Sequence, residues 1–145
     1  MGLFDFVRSA GKKLGWGDDD DEKAEALKKE VDSYDIGSEG VTIEVDGDKA
    51  IIKGDVGSQE ALEKIIIAAG NVDGISSVET VIETTVATSD AKDPVFHTVE
   101  RGDSLWKISA KQYDNGSRYT EIFEANRPML SDPDKIYPGQ VLRIP

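Results

Sequence analysis

Apolar residues recur along this chain at two periods, and the switches between them mark its elements. Leu3, Phe6, Val7, Ala10 and Leu14 return at helical spacing, so residues 2–14 are expected to form a short amphipathic helix, ended by Gly11 or capped by Gly15. A second helix is expected from Glu22 to Ser33, with Ala24, Leu27, Val31 and Tyr34 on one face and Ile36–Gly40 breaking it. Val41, Ile43 and Val45 then alternate with polar residues, Asp46-Gly47-Asp48 supplies a turn, and Lys49 to Val56 runs back as a β-hairpin. Ser58 caps a helix whose buried stripe is Leu62, Ile65, Ile66 and Ala69. After a loop with two glycines, Gly70–Ile75, the residues Val78, Thr80, Ile82, Thr84 and Val86 alternate along one more strand. This order is αββαβ, with two helices on one face of a three-stranded sheet.

The last third repeats the logic on a smaller scale. Val95 to Val99 is a strand pattern, Gly102 allows a tight turn, and Asp103 or Ser104 caps a helix striped by Leu105, Ile108 and Tyr113. Ile122, Phe123 and Ala125 belong to a second helix, stopped at Asn126-Arg127-Pro128. After Asp132-Pro133-Asp134, the run Ile136 to Pro145 supplies a turn and a closing strand. The whole is therefore expected to be α+β, with two small domains, αββαβ then βααβ. The divisions fall at 1–21 (helical segment and acidic linker), 22–88, 89–94 (linker) and 95–145.

Charge changes this picture in one place. Residues 18–94 carry 21 acids and 7 bases, whereas residues 95–145 carry 7 of each, so the net charge of −12 belongs to the middle of the chain. That argues against nucleic acid as a partner. The run Asp18–Glu22 lacks the spaced ligands and turn glycine of a calcium loop, and reads as a linker placing negative charge before a helix. With no cysteine and the single His97, neither a disulfide framework nor a thiolate or multi-histidine metal site can form.

No stretch reaches the apolar length of a membrane span, no secretory signal is evident, and Phe6 stands where N-myristoylation wants Ser or Thr. A cytoplasmic location is the expectation. For the segment 2–14 three readings stay open: packing on the protein's own domains, a membrane-surface helix using Arg8, Lys12 and Lys13, or a disordered tail. Catalysis finds no support, since Ser104 is explained as a cap and no pair of carboxylates has an apolar setting that would split their roles. The chain reads as a non-enzyme.

The residues Gly102-Asp103-Ser104-Leu105-Trp106-Lys107-Ile108-Ser109, then Ile122 to Asn126, then Ile136 to Pro145, resemble a LysM domain end to end. The resemblance implies binding of N-acetylglucosamine polymers through the loops 102–106 and 128–135, with Gly102, Asp103, Ser104, Trp106 and Asn126 as candidate contacts. Leu105 and Trp106 can also be read simply as core. The hairpin Val41–Val56, the run Ser58 to Ile65 and Gly74-Ile75-Ser76-Ser77-Val78 resemble a BON domain.

The N-terminal segment, BON and LysM in that order are similar to the bacterial cytoplasmic potassium-binding protein (Kbp) family. That resemblance implies a K⁺ sensor, read as a monomer, which changes its domain arrangement on binding and leaves a downstream protein partner open. Its alternative is a glycan-binding or envelope-associated adaptor. On the K⁺ reading the LysM sugar surface is expected to be turned to meeting BON, and so not to bind chito-oligomers.

K⁺ is selected by neutral oxygens, above all backbone carbonyls, whereas carboxylate clusters favour divalent ions. Carbonyls converge at the last turn of a helix and in glycine loops. The candidate ligands are therefore the carbonyls of Val7, Ala10 and Gly11 and of Val72, Gly74 and Ile75. On the plainer alternative, Gly11 only caps a helix and Gly74 only makes a turn.

Overall fold

The structure, a computed structural model, describes residues 2–6, 19–72, 74–82, 95–127 and 129–144. Strand β1 is Gly2–Asp5, helix α1 Asp20–Asp32, β2 Val41–Asp46, β3 Lys49–Gly54, α2 Gln59–Gly70 and β4 Ser77–Ile82. These form a four-stranded sheet in the order β1-β4-β3-β2. The β2–β3 pair is the expected hairpin, turning at Gly47 with φ +66°. β4 lies parallel to β3, which requires a crossover, and α2 supplies it.

The acidic run acts at the start of α1. The Asp19 side chain caps that helix by accepting from the Asp21 N–H at 2.8 Å, and Asp20, Asp21 and Glu22 follow in its first turn. Asp20 also accepts from the Gly47 N–H, and Lys23 donates to the Gly47 carbonyl, so the helix start grips the hairpin turn. Val41, Ile43, Val45, Ala50, Ile52 and Val78 from the sheet then meet Leu27, Val31, Ile65 and Ile66 from the two helices in one core. The helices lie on one face, as the pattern implied.

The N-terminal residues depart from expectation. Gly2–Asp5 is not the start of an amphipathic helix but a strand, antiparallel to β4 in the register Gly2↔Thr80 to Asp5↔Ser77. A helix this short is marginal alone, whereas the open edge of β4 offers backbone partners to an extended segment. The sequence permits both, because Phe6 lies two residues from Phe4 as well as three from Leu3. Phe6 is buried, and its ring lies so close to Gly70 that a side chain there would collide with it. The rest of the expected helix, from Val7 onward, lies outside the described residues, as do Thr84 and Val86.

In the C-terminal unit β5 (Val95–Thr98) pairs antiparallel with β6 (Val141–Ile144). Between them come α3 (Leu105–Tyr113), a 3-10 turn at Gly116–Arg118 and α4 (Tyr119–Ala125). Ser104 is the cap of α3, accepting from the Lys107 N–H at 3.1 Å. Val99, Leu105, Ile108, Ile122, Leu130, Leu142 and Ile144 fill a second core.

The two units are packed together. Val141 belongs to the first core rather than the second, with Phe96 and Met129 against it. Phe4 meets Phe96 edge-on at 5.2 Å between ring centroids. Arg143 of β6 lies 3.2 Å from the Glu63 carboxylate of α2, and both side chains are nearly buried, at 13% and 8% exposure. That pair is an ion contact by distance without the alignment of a hydrogen bond, since Arg143 Nε has no hydrogen-bonded acceptor.

Candidate functional site

The turn from α2 to β4 carries the candidate residues Val72, Gly74 and Ile75. Asn71 closes α2 with its backbone N–H on the Ile67 carbonyl at 3.0 Å. Val72 and Ile75 then drive their side chains fully into the core, and the Ile75 N–H donates to the Val72 carbonyl at 3.1 Å. Gly74, at φ +106°, takes a conformation that residues with a Cβ rarely adopt, so its glycine is needed by the turn itself. Val7, Ala10 and Gly11 lie outside the described residues.

What borders this turn gives it a particular place in the molecule. On its C-terminal side, Ser76 donates its N–H to the Asp48 carbonyl and accepts from the Phe6 N–H, both at 2.8 Å. On its N-terminal side, the Asn71 side chain reaches the second unit. It donates through Nδ2 to the Val141 carbonyl at 2.7 Å and accepts through Oδ1 from the Val141 N–H at 2.9 Å. Ser76 and Asn71, on the two sides of this turn, therefore touch the N-terminal segment, the hairpin turn and β6. Sequence reasoning missed Asn71, because an asparagine ending a helix is fully accounted for as a cap.

The candidate sugar contacts divide. Gly102, Asp103 and Ser104 share the loop before α3, and Trp106 stands in the first turn of that helix. Asp103 accepts from the Glu100 N–H at 2.9 Å and lies 3.1 Å from His97 Nε2, and these two contacts, the backbone one foremost, hold its carboxyl below the usual range. Asn126 does not belong with them. It is buried, donating to the Ile122 and Arg143 carbonyls and accepting from the Arg143 N–H, so its amide is committed to holding β6.

Leu105 is core, but Trp106 is 55% exposed. Its indole covers Gly116, where a side chain would collide with it, and lies 5.9 Å from the Tyr119 ring. A groove of about 360 Å³ lined by Ser104, Leu105, Trp106, Tyr119, Pro133 and Asp134 joins the two loops that the LysM resemblance singles out. Among the described residues the unit meets its neighbour through β5, β6 and Met129; the last belongs to the loop 128–135, so one of the two loops expected to meet BON does so, while the groove beside Trp106 is lined by other residues.

Two other cavities lie among the described residues. A groove of about 500 Å³ runs between α1 and β2, lined by Ala24, Lys28, Val41 and Ile43 among others. A cleft of about 340 Å³ lies between the units, where burial, and after it the charge of Tyr34, push the Tyr137 phenol up to about 12. Among the described residues no group of three or more His, Cys, Asp and Glu side chains could hold a metal ion, and no helix is long and apolar enough to cross a membrane.

Comparison with known proteins adds to the geometry. The BON domain model matches residues 19–86 and the LysM domain model residues 97–145. Over 151 aligned residues the chain is 45% identical to the potassium binding protein Kbp of Escherichia coli O6:H1, covering 100% of this chain and 99% of that protein. It is 35% identical over 107 residues to an uncharacterized protein of Deinococcus radiodurans, covering 68% of this chain and 42% of that protein. A shorter likeness, 43% over 47 residues, links it to the resuscitation-promoting factor Rpf of Micrococcus luteus, covering 32% of this chain and 21% of that protein.

Proposed function

Because the chain belongs to the family of the potassium binding protein Kbp, with a BON domain followed by a LysM domain, we propose that it binds K⁺ and changes its domain arrangement on doing so. The ligands are backbone carbonyls of Val72, Gly74 and Ile75, completed by those of Val7, Ala10 and Gly11. One observation carries the reading: the turn holding the first three is bounded by hydrogen bonds to the N-terminal strand at Phe6 and to the LysM strand at Val141. An ion drawing carbonyls together there acts on all three parts at once. Neutral oxygens suit a large monovalent ion, and the acids of the BON region serve as a solvated surface that concentrates cations without selecting them. On this reading the protein is a cytoplasmic, monomeric sensor rather than an enzyme.

The test is selectivity at constant ionic strength. K⁺ and Rb⁺ are expected to raise the melting temperature while Na⁺ and Li⁺ leave it unchanged. At a hundredfold excess over Kd, binding to the native state alone stabilises by about 2.7 kcal/mol, or roughly 5–10 °C for a chain of this size. Equal shifts in all four salts would reduce the effect to screening of the acidic region and end the ion reading.

A second reading is favoured by the open groove under Trp106. There LysM would bind N-acetylglucosamine oligomers, with the exposed indole stacking on a sugar face. Its expected signature is a saturable change in tryptophan fluorescence on adding chitotetraose, absent from Trp106→Ala, whose melting response to K⁺ stays native. A flat titration of the native protein removes this reading.

A further inference from the structure

We infer that Asn71 is the latch through which ion occupancy of the α2–β4 turn reaches the LysM domain; the inference rests on the K⁺ reading above. The outer edge of β6 carries the argument. In the antiparallel β5–β6 pair, Val99 donates to the Gln140 carbonyl, so by alternation Gln140, Leu142 and Ile144 bond towards β5. Val141 and Arg143 present their N–H and carbonyl groups on the other edge. Both are taken by asparagine side chains standing in for a third strand, each giving one donor and one acceptor. Asn126 holds Arg143, and Asn71 holds Val141.

The two clamps differ in where they come from. Asn126 ends α4 and belongs to LysM, so it fixes β6 whatever BON does. Asn71 ends α2 and belongs to BON, next in the chain to the candidate ligand Val72. Its backbone N–H caps α2 through Ile67, and that bond does not involve the side chain. A change at the turn that rotates Asn71 therefore breaks or makes the Val141 clamp without uncapping the helix. When the clamp is broken, two half-buried backbone groups of β6 lose their partners, which favours the docked arrangement whenever the turn is set. Coupling of this kind is reciprocal: if the ion strengthens docking by some factor, docking strengthens ion binding by the same factor.

The full chain has no cysteine, so exposed Glu39 in BON and Lys111 in LysM can each be replaced by a single labelled cysteine. The distance between spin labels is read in KCl and in NaCl of equal ionic strength, and K⁺ affinity by calorimetry. With Asn71 intact the distance is expected to shift in KCl only. In Asn71→Ala it keeps one value in both salts, and Kd for K⁺ rises about tenfold, equivalent to about 1.4 kcal/mol.

Asn71→Asp keeps an oxygen for the Val141 N–H but sets another against its carbonyl, and is expected to behave alike; it stands in if the alanine variant fails by circular dichroism. A variant that is merely less stable in both salts, with the K⁺-dependent shift intact, would make Asn71 a static brace and overturn the inference while leaving the ion reading untouched. A native chain that shows neither K⁺ binding nor a shift would overturn both.

Discussion

Replacing Glu63 by alanine is expected to destabilise the folded protein by about 3 kcal/mol, the lower end of the cost of breaking a buried ion pair from one side. Arg143 would keep its charge in a setting where its side chain is 13% exposed, with no carboxylate 3.2 Å away to balance it. The loss falls on the contact between α2 and β6, so the docked arrangement suffers before either core does. Melting temperature is expected to fall by roughly 10 °C. The double variant Glu63→Met, Arg143→Met removes both charges and is expected to recover most of the loss, because apolar pairs of similar volume often replace buried ion pairs without cost. A single variant within about 0.5 kcal/mol of native, a typical surface substitution, would show that the pair is solvated and holds nothing together.

Deleting residues 2–11 is expected to weaken K⁺ binding at least a hundredfold, about 2.7 kcal/mol. The truncation removes three of the six proposed carbonyls and also the strand that brings them in. β1 covers the β4 edge, Phe6 fills the space over Gly70, its N–H holds the Ser76 carbonyl, and Phe4 contacts Phe96 of LysM. Burying Phe6 contributes about 1.5–3 kcal/mol, while each ordered backbone residue costs about 1–2 kcal/mol. Terms of opposite sign and similar size are the condition in which a bound ion shifts a population. BON and LysM should keep their secondary structure, since β2, β3, β4 and both helices pair without β1. If the truncated chain binds K⁺ as tightly as the full one, the site lies elsewhere.

Much of the fold was legible because burial repeats with the local period. Val41, Ile43 and Val45 alternate inward as their sequence implies, and Leu27 with Val31, or Ile65 with Ile66, fall on the inner faces of their helices. Ser58 and Ser104 cap the helices that they precede, for which a local hydroxyl is sufficient. The segment 2–6 misled because Phe6 fits both periods, three residues from Leu3 and two from Phe4, and the choice was made by an open strand edge some seventy residues away. Trp106, readable as contact or core, faces solvent, and Asn126, a candidate contact, is buried, for a similar reason. Whether an aromatic faces solvent, or an amide faces a strand, depends on which distant backbone comes to lie beside it.

The sequence by itself determined the α+β class, the two cores and a turn after α2 in which Gly74 is needed for its conformation. Each of these follows from interactions within a few residues: amphipathic spacing, caps, and a glycine where φ is positive. Only the tertiary structure decided that the turn stands between the N-terminal strand and LysM. That rests on Phe6 to Ser76, Asn71 to Val141 and Glu63 to Arg143, pairs separated by about seventy or eighty residues. A hydrogen bond or ion pair of that span leaves no local period behind. Its donor and acceptor are ordinary residues until packing removes water from between them, and then an unmade bond becomes costly enough to fix how the domains meet.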